Sequence, residues 1–137
     1  MIDVPHEGPI VVIDDSEADR FILRRVLGKT SLPNEVIDFE DGRTFLEHLD
    51  RIERGEAELP ALILTDINMP GLSGFDVVSK IRERPAFSDL PVVVMVTSSE
   101  ATRDIDRAKE VGANHYIPKQ AGIAAFVDTF EANFRSA

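Results

Sequence analysis

The sequence predicts an α/β protein with a doubly wound parallel sheet and helices on both faces. Short apolar runs recur along the chain, and amphipathic segments separate them. Several of the runs are continuous rather than alternating, which is typical of strands buried on both faces of a parallel sheet. The strand–helix unit repeats about five times, and right-handed crossovers between parallel strands then place helices on both sides of the sheet.

Short, largely aliphatic segments bounded by polar residues, glycine or proline are predicted as strands. They are Ile10–Asp14, Glu35–Phe39, Ala61–Asp66, Val92–Thr97 and His115–Pro118. Three of them are continuous aliphatic runs, so both faces of those strands are expected to be buried. Proline cannot donate to a strand ladder, so Pro118 is tolerable in the fifth strand if that strand lies at a sheet edge.

Between the strands, apolar residues recur at helical spacing and predict the faces that contact the core. Capping pairs, Ser16–Asp19 and Ser73–Asp76, mark the starts of the first and third helices. The expected core-facing residues are Ala18, Phe21, Ile22 and Val26 in the first helix; Phe45, Leu46, Leu49 and Ile52 in the second; Phe75, Val78 and Ile81 in the third; and Ile123, Phe126, Val127, Phe130 and Phe134 in the last.

The fourth predicted helix, Glu100–Val111, differs from the others. Its apolar positions are small or sparse, and charged residues surround them; they are Ala101, Ile105, Ala108 and Val111. This thin stripe predicts weak anchoring to the sheet. Gly112 is well placed to end the helix.

Composition excludes several classes of protein. The chain has 137 residues, 43% of them hydrophobic, and a net charge of −10. This length and hydrophobic content suit one compact domain. The negative net charge disfavours a nucleic-acid binder, because Arg24, Arg25 and Lys29 are better interpreted as a solvated helix face than as a basic stripe. The longest apolar run, Val92–Val96, is too short to span a bilayer, and MIDVPHEGP does not resemble a signal peptide.

Cysteine and histidine usage narrows the chemistry further. There is no cysteine, which excludes disulfides and thiolate metal sites and fits a reducing, cytoplasmic location. His6, His48 and His115 are scattered without ligand spacing, so we expect them to be structural or surface residues.

The candidate site lies at the carboxyl ends of the predicted strands, where open α/β sheets bind ligands. The first strand ends in Asp14–Asp15, the third in Asp66, the fourth in Thr97 and the fifth at Lys119. Carboxylates that converge repel one another and raise each other's pKa unless a cation intervenes. Mg²⁺ prefers such oxygen ligands and keeps room for water or phosphate. The sequence therefore predicts a magnesium site, with helix capping as the alternative role for Asp15.

Two roles are open for Asp66 on this basis. It could be a metal ligand, or it could be a nucleophile that accepts a phosphoryl group to form an aspartyl phosphate. Lys119 and Thr97 would suit the phosphoryl oxygens, because an ammonium neutralises charge and a hydroxyl donates a hydrogen bond.

The motifs IDD, LTDINMPG, VMVTS and YIPK, in this order and spacing, resemble the receiver domain of two-component response regulators. The likeness runs from about Pro9 to Phe134. It implies a flavodoxin-like (βα)5 fold with strand order 2-1-3-4-5. We expect residues 1–137 to be a single receiver domain with its core in 9–134 and no output domain. The segment LEHLDRIERGEAELP resembles the regulators paired with phytochrome-type sensor kinases.

The resemblance also implies roles for individual residues. Asp66 would accept a phosphoryl group from a sensor histidine kinase or phosphotransfer protein. Asp14 and Asp15, with Asp66 and the backbone carbonyl of Asn68, would hold Mg²⁺. Thr97 and Lys119 would contact the phosphoryl group, Tyr116 would act with Thr97 as the switch, and Asn68 and Ser99 would tune dephosphorylation.

The expected output is a change in binding rather than turnover of a substrate. The surface of the fourth helix, fifth strand and fifth helix would bind a downstream protein or a second copy of the chain. Tyr116 could instead be simple edge packing. Lys119–Gln120 departs from the family, which usually has Lys-Pro with a cis bond at this point.

Two other functions are weighed. A magnesium-dependent phosphohydrolase of the haloacid dehalogenase kind would carry a second acid two residues after its nucleophile, but Asn68 stands there. A degenerate receiver that acts as a constitutive interaction module is supported only by the Lys119–Gln120 departure.

Overall fold

The computed structural model describes residues 1–96, 101–119 and 122–137. Its strands are β1 (Ile2–Val4), β2 (Ile10–Ile13), β3 (Val36–Phe39), β4 (Leu62–Asp66), β5 (Val92–Val96), β6 (His115–Pro118) and β7 (Phe134–Ser136). Its helices are α1 (Glu17–Gly28), α2 (Gly42–Glu53), α3 (Gly74–Arg82), α4 (Ala101–Val111) and α5 (Ile123–Asn133), with a short 3-10 helix at Pro85–Phe87.

The central sheet is parallel and has the strand order β3-β2-β4-β5-β6. This confirms the predicted order 2-1-3-4-5, because the N-terminal β1 lies outside this sheet. β6 is an edge strand, a position in which Pro118 is tolerated. The register pairs Ile13 with Thr65 and Asp66 with Met95, so the carboxyl ends of the central strands finish close to one level.

Hydrophobic residues are buried on both faces of the sheet, which confirms the doubly wound architecture. Val11 and Ile13 of β2 pack with α2, α3 and Ala108 of α4 on one face. Ile10 and Val12 of the same strand pack with α1 and α5 on the other face. Successive side chains of a strand point to opposite faces, so a continuous aliphatic run fills both cores.

The prediction for the first helix is confirmed for Val26 and for Ile22, which packs against the core, but it is wrong for Ala18 and Phe21, which are exposed. The buried residues of α1 are Leu23, Val26 and Leu27, whereas Phe21 is 60% exposed. The ring of Phe21 lies under the guanidinium of Arg25, whose Cζ is 5.8 Å from the ring centroid. Two overlapping apolar stripes on α1 fit the helical period almost equally well. Packing against α5 and the sheet selects the stripe that contains Leu23, Val26 and Leu27.

The fourth helix is thinly anchored, as predicted. Among the described side chains of α4, Ala108 is the buried one, and most of the others face solvent. Gly112 has a φ of +100°, a conformation that suits glycine and ends the helix. Arg82 holds this end in place, because its guanidinium donates to the carbonyl of Gly112 (3.0 Å) and to Asn114 Oδ1 (2.8 Å).

A second sheet of two strands was not predicted. β1 and β7 pair in parallel, with Ile2 opposite Phe134, and Val4 and Phe134 are buried. α5 therefore ends at Asn133, and Phe134, which we had placed on the last helix, begins a strand. These strands are three residues each and come from opposite ends of the chain, so no local pattern indicates their pairing.

Candidate functional site

An acidic cluster lies at the carboxyl edge of the sheet. Asp14 directly follows β2, and Asp66 is the last residue of β4. One carboxylate oxygen from each of Asp14, Asp15 and Asp66 lies within 4.8 Å of the others. In the described part of the chain, Asp14 and Asp66 are the charged residues that are buried, at 0% and 8% exposure. The predicted convergence of these carboxylates is confirmed.

Backbone groups fix the orientation of the two buried carboxylates. The Ser16 N–H donates to Asp14 Oδ1 (3.0 Å), and the Ile67 N–H donates to Asp66 Oδ1 (2.9 Å). Arg20 Nη1 donates to the Asp14 carbonyl (2.7 Å) and so ties α1 to the end of β2. These bonds orient both side chains at the edge of the sheet, where each contributes one carboxylate oxygen to the cluster.

Lys119 follows β6 and reaches the same edge, as predicted. Three carboxylates surround its ammonium: Nζ lies 2.8 Å from Asp14 Oδ2, 3.0 Å from Asp19 Oδ2 and 3.4 Å from Asp66 Oδ1. Burial alone would lower the pKa of Lys119, but the hydrogen bonds and charges of these carboxylates outweigh it and raise the pKa. Lys119 is therefore a permanent positive charge in the site.

One ammonium does not neutralise the cluster. The pKa of Asp66 is raised, first because the carboxyl is buried and further because Asp14 is close, and these effects exceed the opposing charge of Lys119. The negative charge that remains is what a divalent cation would neutralise. Carboxylate oxygens are hard donors of the kind that Mg²⁺ and related ions accept, so the residues fit such an ion.

The loop after β4 completes the wall of the cluster. Ile67 and Met69 are buried, whereas the side chain of Asn68 between them is exposed. The Gly74 N–H donates to the carbonyl of Ile67 (2.8 Å), which holds the loop against the start of α3. The complete Ser73–Asp76 capping box, which was predicted, fixes that helix start.

Tyr116 is partly buried at the centre of β6 and packs against the core face that contains α4. Its ring centroid lies 5.2 Å from that of His115. The other proposed switch residue, Thr97, lies outside the described residues, as do Ser99 and the Lys119–Gln120 bond.

Asp19 is the site residue that sequence reasoning missed. We expected it to form a capping pair with Ser16, and half of that pair is present: the Asp19 N–H donates to Ser16 Oγ (3.2 Å). The return bond is absent from α1, because the Ser16 N–H is bound to Asp14 Oδ1 instead. The carboxylate of Asp19 is free to reach Lys119, a partner 100 residues away that no local motif indicates.

Comparison with known proteins identifies the family. Residues 10–131 match the family model described as the response regulator receiver domain. The chain belongs to this family. The motifs at the strand ends that suggested a receiver domain are thus borne out over most of the sequence.

Two-component response regulators are similar to this chain over most of its length. The two-component response regulator ARR3 of Arabidopsis thaliana is 32% identical over 84% of this chain and 51% of its own length. The response regulator Rcp1 of Synechocystis is 32% identical over 83% of this chain and 78% of its own length. This receiver domain therefore spans about half the length of one relative and most of the other.

Solved structures show the same fold. The phosphorylated cyanobacterial phytochrome response regulator RcpA gives a TM-score of 0.79 at 28% identity, covering 95% of this chain and 90% of its own. The Mn²⁺-bound form of response regulator Rcp1 gives 0.78 at 28% identity, covering 92% and 91%. Among the residues described for this receiver domain, no helix combines the length and apolarity needed to cross a bilayer.

The raised pKa of Asp66 predicts how stability depends on pH in the absence of divalent cations. A carboxyl whose pKa is raised on folding binds more protons in the folded state, so the free energy of unfolding falls as pH rises from about 3.9 through the raised pKa. Asp66→Asn should remove that loss and be more stable than wild type at neutral pH. Urea unfolding in EDTA at acid and neutral pH measures both effects.

Asp38→Asn is the matched control with the opposite sign. The hydrogen bond from Arg24 lowers the pKa of Asp38, so this carboxylate contributes stability above its usual pKa. Asp38→Asn should therefore be less stable than wild type at neutral pH and converge with it in acid. Equal behaviour of the two variants would contradict the raised pKa that we assign to Asp66.

Proposed function

We propose that this receiver domain accepts a phosphoryl group on Asp66 from a sensor histidine kinase or phosphotransfer protein, in a reaction that needs Mg²⁺. The observation that carries the proposal is the position of Asp66. Its carboxylate ends a central strand, is nearly buried, and lies within reach of Asp14, Asp15 and the Lys119 ammonium. Carboxylates whose only role is to keep a surface hydrated are not expected to converge with a half-buried lysine at a sheet edge.

The chemical step is a phosphoryl transfer to oxygen. An Asp66 carboxylate oxygen forms a bond to phosphorus as the P–N bond of the donor phosphohistidine breaks. The electron pair of that bond remains on the imidazole nitrogen. If the ring carries a proton on its other nitrogen, the leaving imidazole is neutral and needs no acid from this chain. The Ile67 N–H keeps the carboxylate oriented for this attack.

The remaining residues of the site neutralise and orient charge. Asp14, Asp15 and Asp66 would hold Mg²⁺ together with the backbone carbonyl of Asn68. When bound, the ion would neutralise charge on the transferring phosphoryl oxygens. Lys119 is already 3.4 Å from Asp66 Oδ1 and would neutralise another phosphoryl oxygen. We assign Thr97 a hydrogen bond to the phosphoryl group, and Asn68 and Ser99 an influence on its hydrolysis.

The output that we propose is a shift between two arrangements of the face formed by α4, β6 and α5. Phosphorylation would draw Thr97 toward Asp66 and let Tyr116 repack beside it. The thin anchoring of α4, with Ala108 as its buried described side chain, supports a face that can change at low cost. The partner of this face would be a downstream protein or a second copy of the chain.

Phosphodonor treatment tests the proposal. Incubation with a small acyl-phosphate donor and Mg²⁺ should add one phosphoryl group per chain, and EDTA should prevent the addition. Intact-mass spectrometry measures both. A chain that takes up no phosphoryl group from this donor or from any histidine kinase would overturn the proposal. Continuous turnover of phosphate esters would favour a phosphohydrolase instead.

Magnesium binding is expected to stabilise the fold. A ligand that binds only the folded state adds RT ln(1 + [L]/Kd), or about 2.7 kcal/mol at a hundred times Kd. Asp15→Asn should weaken Mg²⁺ binding by about tenfold, equivalent to about 1.4 kcal/mol. Asp15 is exposed, so its substitution should leave the metal-free fold intact.

Urea unfolding at a series of Mg²⁺ concentrations measures this shift. Glu58→Gln removes an exposed acid in the loop before β4 and serves as the control that should bind Mg²⁺ like wild type. Equal Mg²⁺ dependence of Asp15→Asn and Glu58→Gln would remove Asp15 from the metal site.

A further inference from the structure

Asp19 and Asp76 occupy the same position in two helix starts but do different things. Asp76 completes the capping box of α3, because its carboxylate accepts from the Ser73 N–H (3.0 Å) while its own N–H donates to Ser73 Oγ. At α1 the equivalent N–H, that of Ser16, is already bound to Asp14 Oδ1. The carboxylate of Asp19 therefore does not cap the helix, and it points at Lys119 Nζ from 3.0 Å.

The ammonium of Lys119 has three N–H donors, and three carboxylates surround it. Asp14 Oδ2 and Asp19 Oδ2 accept hydrogen bonds at 2.8 and 3.0 Å, and Asp66 Oδ1 lies at 3.4 Å. Two of these residues, Asp14 and Asp66, are also among the residues assigned to the cation. Asp19 does not belong to the cluster that could hold an ion. It is therefore a partner that Lys119 can keep when the other two turn toward a metal.

The side chain of Lys119 lies on the side of the site where Asp19 is found. Its side chain is 15% exposed and shares a small cavity with Asp19, Ile22, Leu23 and Phe126, between α1 and α5. An ammonium held by Asp19 stays at the α1 side of the pocket. An ammonium without Asp19 has only the two cation-binding carboxylates to bond to, and it would compete with a divalent ion for them.

We propose that Asp19 is a positioning residue that keeps the Lys119 ammonium beside, rather than inside, the cation site. This inference rests on the proposed function, since it assigns a task to Asp19 within the same site. Through Lys119, Asp19 makes Mg²⁺ binding compatible with a lysine that must also meet the phosphoryl group. Asp19→Asn should then weaken Mg²⁺ binding by about tenfold, equivalent to about 1.4 kcal/mol.

A double-mutant cycle separates this role from the plain loss of a negative charge. In a Lys119→Met background there is no ammonium to position, so Asp19→Asn should change Mg²⁺ affinity by less than about twofold, the range expected of uncoupled sites. A direct effect of charge on the ion would persist in that background. Glu17→Gln removes another acid of the same helical turn and should bind Mg²⁺ like wild type. Calorimetric titration measures all five affinities.

A second readout needs no metal. The chain has four lysines, Lys29, Lys80, Lys109 and Lys119, so the NMR signal of the Lys119 ammonium can be assigned by substitution. Hydrogen bonds to carboxylates should slow exchange of its protons with water in wild type. In metal-free Asp19→Asn that exchange should accelerate, and in Asp19→Glu, which keeps the charge, it should stay close to wild type.

The outcomes distinguish this inference from the proposed function. If the wild-type protein binds Mg²⁺ and Asp19→Asn binds it equally well, the role of Asp19 alone is overturned. Unchanged proton exchange at Lys119 in metal-free Asp19→Asn would overturn it as well. An equal loss of affinity in the Lys119→Met background also overturns it, in favour of direct electrostatics. Wild-type protein that binds no Mg²⁺ at millimolar concentrations overturns the proposed function and the inference together.

Discussion

Asp66→Asn is expected to take up no phosphoryl group under conditions that fully phosphorylate the wild-type chain. An amide nitrogen is a poor nucleophile because its lone pair is delocalised, and the amide oxygen carries no full charge to attack phosphorus. The side chain keeps its shape, and its oxygen can still accept from the Ile67 N–H as Asp66 Oδ1 does. The loss should therefore be chemical rather than a consequence of unfolding.

Intact-mass spectrometry after treatment with an acyl-phosphate donor and Mg²⁺ measures this result. Asp50→Asn, on the exposed surface of α2, is the matched control and should be phosphorylated like wild type. A circular dichroism spectrum and an unfolding curve for each variant establish that both are folded. Phosphorylation of Asp66→Asn to the wild-type extent would mean that another residue is the acceptor.

Gly74→Ala is expected to destabilise the fold and to disturb the site at the same time. Gly74 begins α3 directly behind the end of β4, and a Cβ at this position would overlap the carbonyl oxygen of Asp66. The neighbouring atoms are backbone, of Asp66 and Ile67, so no side chain can turn aside to make room. Overpacking that forces backbone shifts costs about 3 kcal/mol, and here the shift would move Asp66, the proposed phospho-acceptor.

Urea unfolding and phosphorylation rate are the two measurements for Gly74→Ala. Gly28→Ala is the matched control, because a Cβ at Gly28, the last residue of α1, would meet no atom within 4 Å. That control should be unchanged or more stable by about 0.5–1 kcal/mol, since alanine lowers the entropy of the unfolded chain. Wild-type stability of Gly74→Ala would show that α3 can retreat from β4.

The sheet and the acidic cluster could be predicted from sequence because one physical rule produces both. A continuous aliphatic run such as Ile10–Ile13 is buried on both faces, which indicates a parallel strand, and parallel strands end at a common edge. Asp14 and Asp66 end such runs and Lys119 follows the predicted fifth strand, so their convergence follows from topology without any knowledge of loops. Their functional roles came from resemblance to receiver domains, and the family is now shown by residues 10–131.

What the sequence could not predict depends on contacts between distant residues. The face of α1 is decided by packing, because the residues around Phe21 and those around Leu23 make competing stripes. The pairing of β1 with β7 joins the two ends of the chain. Asp19 looked like a helix cap because its true partner, Lys119, lies 100 positions away. Local motifs carry no signal for such pairs.

Locating the acyl phosphate is the most direct test of the central claim. Borohydride reduces an aspartyl phosphate to homoserine, so the modified position is recorded permanently and can be read by peptide mass spectrometry. After phosphorylation in the presence of Mg²⁺, homoserine is expected at position 66 and at neither Asp14 nor Asp15. Homoserine at position 14 or 15 with an unmodified Asp66 would contradict the assignment of Asp66 as the phospho-acceptor.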